Sequence, residues 1–257
     1  MALSRAIFPN SPLLAKIPRE INAGIVEFHS RSRVISFASQ VDALQAGSIG
    51  DVMDVLDVVR RYVNSGSHAA GFVSYEAAAA FDPALTTHGA AELPLAWFGV
   101  YETRIDRPCA VSPSGGATPC GWSAAVDRDV YAQTIHAIRR YLAAGDTYQV
   151  NYTFPLHAQF EGSAHQMFLA LYAAQPTDYA AYLDLGDFQI LSHSPELFFR
   201  LDGNEITARP MKGTRPRGLW PERDAALTRE LADSEKDRAE NVMIVDMLRN
   251  DLGRICE

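Results

Sequence analysis

Residues 194–218 read SPELFFRLDGNEITARPMKGTRPRG and carry the clearest local structural signal in the chain. The apolar and aromatic run LFFRL and the alternating run EITAR are typical of β-strands. The tripeptide DGN at 202–204, which lies between them, has the composition of a tight turn. This stretch therefore predicts an antiparallel β-hairpin.

An acidic and an amine side chain converge at the open end of the predicted hairpin. Pairing Leu201 with Glu205 places Glu196 opposite Pro210. Because residues of a strand advance by about 3.3 Å each, Glu196 and Lys212 then lie within side-chain reach of each other. Such a pair suits a general acid and a nucleophile, although a surface ion pair would have the same spacing.

The loop after the hairpin, MKGTRPRG, combines cationic side chains with small residues that allow a tight backbone. Backbone N–H groups and guanidinium groups that converge in such a loop can bind a carboxylate or a phosphate. The loop lacks the Gly-x-x-x-x-Gly-Lys-Ser/Thr pattern of a Walker loop. A solvated basic connector between two elements is the alternative. The residues concerned are Lys212, Gly213, Thr214, Arg215 and Arg217.

Two carboxylates stand three residues apart in the segment 234–251, SEKDRAENVMIVDMLRND. Asp237 and Glu240 fall on one face of a predicted helix. Mg²⁺ is bound by one or two such carboxylates together with substrate oxygens. The alternative is ordinary pairing along the helix, because Lys236 stands four residues before Glu240.

Elsewhere the sequence predicts alternating short strands and helices without βαβ regularity, which is typical of an α+β protein. The segment 109–122 is rich in Pro, Gly and Ser and predicts a linker between a region 1–108 and a region 123–257. The remaining expectations are strands at 24–30, 33–39, 69–81, 93–102 and 147–156, a helix that opens at Asp51, one from Asp127 to Gly145, one capped by Ser163, and two with Asp224 and Ser234 as caps.

Composition excludes several classes of function. The chain has 257 residues, and 23 Lys and Arg against 31 Asp and Glu give a net charge of −8. Nucleic-acid and anionic-membrane binders normally have a basic excess, so neither partner is expected. No apolar run approaches the ~20 residues of a membrane span, and three cysteines lack metal-ligand spacing. A cytoplasmic protein with reduced thiols is expected.

Three segments in the same order, AGDTYQVNYTFPL (144–156), residues 194–218 and KDRAENVMIVDMLRNDLGR (236–254), resemble the chorismate-binding enzymes. That family includes aminodeoxychorismate, anthranilate, isochorismate and salicylate synthases. The resemblance is greatest to aminodeoxychorismate synthase component I, because Lys212 matches the lysine of its Pro-Ile-Lys-Gly-Thr loop, where anthranilate synthases have alanine. Gln149 matches the position at which isochorismate and salicylate synthases have a water-activating lysine, and glutamine cannot act as that base.

The resemblance implies a fold of stacked, mostly antiparallel sheets flanked by helices, as in anthranilate synthase component I, of which residues 123–257 would be the first part. It implies conversion of chorismate and ammonia to 4-amino-4-deoxychorismate for para-aminobenzoate and folate biosynthesis, with ammonia from a glutamine amidotransferase subunit. Members of the family continue beyond the position of Glu257, so a truncated chain is expected. The implied roles are Lys212 as nucleophile, Glu196 as general acid, Gly213, Thr214, Gln149 and Arg215 in substrate binding, and Glu240 and Asp237 at Mg²⁺.

Two further interpretations stay open on the sequence alone. Anthranilate synthase component I has the same fold and substrate, and a chorismate-binding fragment without activity would have the same motifs. A phosphate- or nucleotide-binding protein that uses the loop 211–218 is a third interpretation.

Overall fold

The computed structural model describes residues 24–88, 93–111 and 118–257. These residues form ten strands, five α-helices and one short 3₁₀ helix. In chain order they are β1 (Val26–His29), β2 (Arg33–Ala46), α1 (Ile49–Asn64), β3 (His68–Val73), the 3₁₀ helix (Tyr75–Ala80), β4 (Ala96–Pro108), β5 (Cys120–Ala124), α2 (Arg128–Ala144), β6 (Leu156–Gln159), α3 (Ala164–Ala174), β7 (Tyr179–Asp184), β8 (Gln189–Ser194), β9 (Leu197–Asp202), β10 (Glu205–Arg209), α4 (Pro221–Asp233) and α5 (Glu235–Leu252).

The chain divides into two compact units. Of the described residues, the first unit contains 24–88, 93–109 and 175–257, and the second contains 110–111 and 118–174. The first unit uses both ends of the sequence because β1 pairs with β7. This grouping differs from the expected division at 109–122, and residues 112–117 of that expected linker lie outside the described part of the chain.

A six-stranded antiparallel sheet forms the spine of the first unit. Its strand order is β3-β4-β2-β1-β7-β8, and β2 and β4 have the longest shared register, from Arg33 opposite Pro108 to Ala46 opposite Ala96. The register shifts once, between Gln40 and the residues that follow, and such a bulge bends and twists a strand. Among the described residues, no helix is both long and apolar enough to cross a membrane.

Helix α1 packs on one face of this sheet. Val52 and Val55 recur at helical spacing and are fully buried in a core cluster with residues of β2 and β4, and each contributes about 1.5–3 kcal/mol by burial. The backbone N–H and the hydroxyl of Ser48 donate to Oδ2 of Asp51, at 3.0 and 2.6 Å. The helix therefore begins at Ile49, two residues earlier than expected, because Asp51 closes a capping box instead of opening the helix.

The opposite face of the sheet carries a second core. Side chains alternate along a strand, so Trp97 and Tyr101 of β4 point away from the face on which Ala96 lies. Trp97, Tyr101 and Leu183 of β7 are buried there, and the ring of Phe37 lies 5.2 Å from that of Tyr101. Both faces of the sheet are thus apolar in its centre, which explains why its strands read as nearly continuous apolar runs.

The second unit contains α2, α3 and the β5–β6 pair. The side chain of Asp127 accepts a hydrogen bond from the first turn of α2, and Gly145 ends the helix with a φ of 80°, so both predicted signals are confirmed. Tyr131 of α2 lies 5.8 Å from the ring of Tyr152 and 6.0 Å from that of Phe154.

The strand predicted at 147–156 is wrong. In the described part of the chain, only Leu156 of this segment belongs to a strand, β6. The aromatic residues that suggested a strand, Tyr152 and Phe154, contact a helix instead of a neighbouring strand. Aromatic enrichment therefore indicated burial against a neighbour, and the neighbour was not a sheet.

Two other expected boundaries also change. The strand predicted at 69–81 ends at Val73, and the alanine-rich remainder forms the 3₁₀ helix, since alanine is disfavoured in strands. Asp224 does not cap α4, whose N-cap is Trp220, whereas Ser234 caps α5 as predicted.

Candidate active site

The predicted hairpin is confirmed, but the expected register at its turn is wrong by one residue. Asp202 pairs with Glu205, so the turn has two residues, Gly203 and Asn204, and Leu201 does not face Glu205. Gly203 has a φ of 58°. Two-residue hairpin turns require such a value at their first position, and glycine adopts it without steric cost.

A β-bulge restores the expected register at the open end of the hairpin. After Thr207 the register shifts, and Arg209 faces Leu197. The extra residue in β9 cancels the offset made at the turn. Continuation of this register brings Glu196 opposite Pro210, where the sequence places it.

The carboxylate of Glu196 is fixed against the segment that leads to Lys212. Oε1 of Glu196 accepts a hydrogen bond from the backbone N–H of Met211 at 2.7 Å. The hydroxyl of Ser194 donates to the Glu196 carbonyl oxygen at 2.9 Å, which restrains the backbone before β9. The Glu196 carboxylate is therefore held by one main-chain N–H from the segment after β10, and the Glu196 backbone is held by a side chain at the end of β8.

Glu196 and Lys212 line one cavity of about 370 Å³. Ile244 and Leu248 of α5 form an apolar part of its wall. Lys212 is half-buried, and its amine makes no hydrogen bond or ion pair with the described residues. The structure thus brings the acid and the amine together and leaves the amine available to a ligand.

A second cavity, of about 690 Å³, extends from Glu196 along the β1–β7–β8 part of the sheet. Phe28, Phe72 and Ile190 give it a mostly apolar lining, and Ser192 adds a hydroxyl group. Glu196 borders both cavities, so its carboxyl group can be reached from either one.

Gly213 lets the loop after β10 approach α5 closely. Its φ is 74°, in the left-handed region that favours glycine. A Cβ atom at this position would lie 2.9 Å from Cβ and 3.1 Å from Oδ1 of Asp237. The side chain of Asp237 therefore rests on the backbone of the residue next to Lys212.

Arg215 joins this loop to both C-terminal helices. Its Nη2 donates to Oδ2 of Asp237 on α5 and its Nε donates to Oε1 of Glu230 on α4, both at 3.0 Å. Its Nη1 donates to the carbonyl oxygen of Thr214 at 2.9 Å. The guanidinium group, expected to bind substrate, is engaged by protein acceptors through all three nitrogens.

A second arginine holds the end of the loop. Arg217 donates from Nε and Nη2 to the two carboxylate oxygens of Asp224, at 2.8 and 2.7 Å. The N–H of Gly218 donates to the same carboxylate at 2.8 Å. Asp224 thus fastens the loop to the first turn of α4.

These contacts shift the pKa values of the groups involved. Hydrogen bonds from Arg217 and from the Gly218 N–H lower the pKa of Asp224. The hydrogen bond with Ser234 and the charge of Arg215 lower the pKa of Asp237. The hydrogen bond to Glu230 and the charge of Asp237 raise the pKa of Arg215, which stays cationic. The loop contacts are therefore between charged groups throughout the neutral range.

Glu240 is the acidic residue on this face of α5 that keeps an unshared carboxylate. It is half-buried and makes no hydrogen bond or ion pair with the described residues, Lys236 included. It stands three residues after Asp237 and four before Ile244, so all three share one face. No cluster of three or more His, Cys, Asp or Glu side chains occurs in the described part. This donor set fits Mg²⁺, which takes one or two carboxylates and completes its shell with water and substrate oxygens.

Gln149 belongs to the second unit. It lies in the segment between α2 and β6, without regular secondary structure. Its Oε1 is buried and has no hydrogen-bond partner among the described residues. Its role in substrate binding remains a prediction.

Sequence reasoning missed the acidic partners of the loop. Asp224 was interpreted as a helix cap, and Glu230 was not singled out. The cationic residues of the loop are followed immediately by a helix that is rich in acidic residues. This charge pattern could have suggested the pairing. Ile244 and Leu248 were also missed, although they continue the stripe of Asp237 and Glu240 at helical spacing.

Fold and site together define an α+β chain with a cavity that is lined by an acidic residue, Glu196, and an amine-bearing residue, Lys212, beside an acidic helix. The sequence model of the chorismate binding enzymes matches residues 22–257. The chain belongs to this family.

Several curated relatives are aminodeoxychorismate synthases. The enzyme of Streptomyces griseus is 41% identical over 170 residues, which are 63% of this chain and 23% of that protein. Component 1 from Escherichia coli K12 is 44% identical over 134 residues, 52% of this chain and 30% of that protein. Anthranilate synthase component 1 of Thermus thermophilus is 36% identical over 168 residues, 64% of this chain and 35% of that protein. The chain spans about a third or less of the length of these relatives.

The fold is that of anthranilate synthase component I, as expected. The crystal structure of this protein from Streptococcus pneumoniae matches with a TM-score of 0.75 at 20% identity, over 95% of this chain and 67% of that chain. A putative 2,3-dihydroxybenzoate-specific isochorismate synthase from Bacillus anthracis matches with a TM-score of 0.65 at 17% identity, over 94% of this chain and 62% of that one. Identities this low describe the fold alone.

Proposed function

We propose that this chain supplies the acid and the nucleophile of an aminodeoxychorismate synthase, which replaces the 4-hydroxyl group of chorismate by an amino group. The observation that carries the proposal is that Lys212 and Glu196 line one cavity. The relatives at 41% and 44% identity are named aminodeoxychorismate synthases, which supports this choice within the family.

In the first step the free amine of Lys212 attacks C2 of chorismate. An N–C2 bond forms, both ring double bonds shift by one position toward C4, and the C4–O bond breaks. Hydroxide is a poor leaving group, so Glu196 donates a proton and water departs. The resulting Glu196 carboxylate takes the proton that the Lys212 nitrogen loses, which restores the acid.

In the second step ammonia attacks C4. A C4–N bond forms, both ring double bonds shift back, and the C2–N bond to Lys212 breaks. One proton of the ammonia nitrogen passes to the Lys212 nitrogen. The sum is chorismate plus ammonia giving 4-amino-4-deoxychorismate plus water, with the enzyme unchanged.

The loop and the acidic face of α5 would position the substrate. The backbone at Gly213 and Thr214 borders Lys212 and can contact the ring carboxylate. Glu240, with the remaining oxygen of Asp237, would hold Mg²⁺, which screens and orients the carboxylate of the substrate when it is bound.

The proposal includes a partner that supplies ammonia. Relatives are named component 1, which implies a second component in those proteins. For this chain we propose a glutamine amidotransferase subunit and a product that serves para-aminobenzoate and folate biosynthesis. Ammonium salts can replace this partner in the assay below.

The test is product analysis of the full natural protein with chorismate, Mg²⁺ and ammonium, by liquid chromatography and mass spectrometry. Wild type should form 4-amino-4-deoxychorismate, and Lys212→Ala should lose on the order of 10⁴-fold in kcat, because the nucleophile is removed. Lys236→Ala removes an exposed amine of α5 and should keep normal turnover.

Three outcomes would contradict the proposal. Anthranilate, detected by its fluorescence, would place the chain with anthranilate synthases. Near-normal turnover by folded Lys212→Ala would remove the nucleophile from the mechanism. Chorismate binding in calorimetry without turnover by wild type would mean a binding protein.

A further inference from the structure

Arg215 occupies an unusual place for a residue expected to bind substrate. Its three guanidinium nitrogens reach three different acceptors: Asp237 on α5, Glu230 on α4, and the carbonyl oxygen of Thr214 in its own loop. Its side chain is 27% exposed and that of Asp237 is 15% exposed, so this ion pair is shielded from solvent. These contacts engage three of the five N–H donors of the guanidinium group with protein acceptors.

We propose that Arg215 is a positioning residue that fixes the backbone of Lys212 against α4 and α5. The chain is anchored on both sides of Lys212. Before it, the Met211 N–H donates to Oε1 of Glu196. After it, Arg215 binds Asp237 and Glu230, and these three side chains form the Arg215 latch. Met211 and Gly213 flank Lys212 directly, and Gly213 rests on the Asp237 side chain that Arg215 holds. With both sides anchored, the amine has few positions open to it other than the cavity it shares with Glu196.

The two acidic residues on this face of α5 differ in their contacts. Asp237 has Oδ2 on Arg215 and lies against the Gly213 backbone, so it forms part of the loop seat. Glu240 has no such contact among the described residues. Asp237 therefore uses Oδ2 to hold the loop and keeps only Oδ1 for a ligand, whereas both carboxylate oxygens of Glu240 are available to one.

A guanidinium fork is needed for this geometry. Nε, Nη1 and Nη2 point in fixed directions in one plane, whereas a lysine ammonium is a single point with rotatable donors. Arg215→Lys keeps the charge but cannot reach helices α4 and α5 and the Thr214 carbonyl together. The lysine of Arg215→Lys should therefore fail to hold the loop, although it keeps the positive charge.

The experiment combines kinetics with amide hydrogen exchange on Arg215→Ala and Arg215→Lys in the full natural protein. Misplacement of a reacting group by about 1 Å can cost on the order of 10²-fold, so kcat should fall by about 10- to 100-fold in both variants. KM for chorismate should change by less than about threefold, because ground-state binding is not removed. Without substrate, the amide protons of Met211 and Gly218 should exchange at least about tenfold faster than in wild type.

Control variants test the contacts one at a time. Arg229→Ala removes an exposed guanidinium next to Glu230 that makes no contact in the described part, and it should match wild type in all three measurements. Glu230→Ala removes one acceptor of the latch on the surface and should reproduce part of the Arg215→Ala effect even if Arg215→Ala folds poorly. The double variant Arg215→Ala/Glu230→Ala should be no worse than Arg215→Ala, because contacting residues are not additive.

The outcomes separate this inference from the proposed function on which it rests. A rise of tenfold or more in KM, with kcat and amide exchange unchanged, would make Arg215 a substrate ligand and overturn the latch. Wild-type behaviour of Arg215→Lys would also overturn it. If the protein forms no aminodeoxychorismate, the proposed function fails, while the exchange rates still decide whether Arg215 fixes the loop.

Discussion

Glu196 uses its two carboxylate oxygens differently. Oε1 accepts the Met211 N–H, and Oε2 makes no hydrogen bond with the described residues. In a protonated carboxyl group the carbonyl oxygen is the better acceptor, so the oxygen that accepts an N–H favours the proton on the other oxygen. In the proposed mechanism, Oε2 would therefore be the oxygen that delivers the proton to the leaving hydroxyl group.

Glu196→Gln should separate anchoring from proton transfer. The glutamine carbonyl oxygen can still accept the Met211 N–H, but the amide does not protonate a leaving hydroxide. We expect kcat for amination to fall by about 10²–10⁴-fold while exchange of the Met211 amide stays at the wild-type rate. Steady-state assays and hydrogen exchange on the same preparation measure both.

Glu196→Ala is the matched comparison for this prediction. It removes the acid and the anchor together, so both kcat and the protection of the Met211 amide should fall. Turnover close to wild type in Glu196→Gln would show that this carboxyl group is not the acid.

The sequence predicted the Glu196–Lys212 pair because a hairpin is a local element, and its two strands fix which residues share an end. It could not predict the contacts of Arg215. These depend on how α4 and α5 pack against the loop, and no local pattern encodes that packing. A cation in a glycine-containing loop suggests an anion site, and only the helix positions show that Glu230 and Asp237 already provide the anions.

The hairpin turn requires a positive φ at its first residue, and the cost of replacing glycine there can be measured. Gly203 has a φ of 58°, and a Cβ atom there would meet nothing within 4 Å. Gly203→Ala should therefore cost about 1 kcal/mol in the free energy of unfolding through backbone strain alone, without any steric clash. Urea unfolding followed by circular dichroism measures this loss.

Gly47 provides the control for the turn. It also has open space around its Cα, but its φ lies outside the left-handed region. Gly47→Ala should change the free energy of unfolding by less than about 0.5 kcal/mol, or raise it slightly by restricting the unfolded chain. Equal losses for the two variants would show that the turn does not depend on glycine.

The predicted ends of a helix are confirmed where the signals that set them act on neighbouring residues. The Asp127 cap and the Gly145 stop of α2 act on adjacent backbone groups, so the sequence locates them well. The strand predicted at 147–156 failed because strand composition does not identify a partner strand. Asp224 failed as a cap because Arg217 and Gly218, which precede α4, take both oxygens of its carboxylate.

The six-stranded sheet of the first unit joins distant parts of the sequence. Val26 of β1 pairs with Leu183 of β7, and β2 and β4 enclose α1 and β3 between them in the chain. The α+β class followed from the alternation of elements, but partner choice in such a sheet is non-local. The resemblance to a known family therefore supplied the expectation of mostly antiparallel sheets flanked by helices, and the strand order is visible only in the structure.

Net charge and local charge also differ in what they predict. The net charge of −8 correctly describes a surface rich in acids, yet the loop after β10 concentrates three cations in six residues, Lys212 to Arg217. Two of these, Arg215 and Arg217, pair with helix carboxylates, and Lys212 makes no pair in the described part. Composition describes the chain as a whole, whereas contact geometry shows that Lys212 is the one of these three loop cations without a partner among the described residues.

The buried hydroxyl of Tyr101 should make global stability sensitive to alkaline pH. Tyr101 is 3% exposed, its hydroxyl has no hydrogen-bond partner among the described residues, and burial raises its pKa to about 12. The neutral form is favoured in the folded state, so this contribution is complete below the unfolded pKa of about 10 and is lost as pH rises through 12. A shift of this size corresponds to about 2–3 kcal/mol.

Tyr101→Phe isolates that contribution. At pH 7 the free energy of unfolding should equal or slightly exceed that of wild type, because an unpaired buried hydroxyl is removed without loss of ring packing on Phe37. Between pH 9 and 12 the advantage of the variant should grow by about 2–3 kcal/mol, measured by urea unfolding at each pH. Tyr75→Phe, at an 85% exposed tyrosine, should follow the wild-type curve throughout. Parallel curves for Tyr101→Phe and wild type over this range would mean that the hydroxyl reaches solvent or a partner in the folded protein.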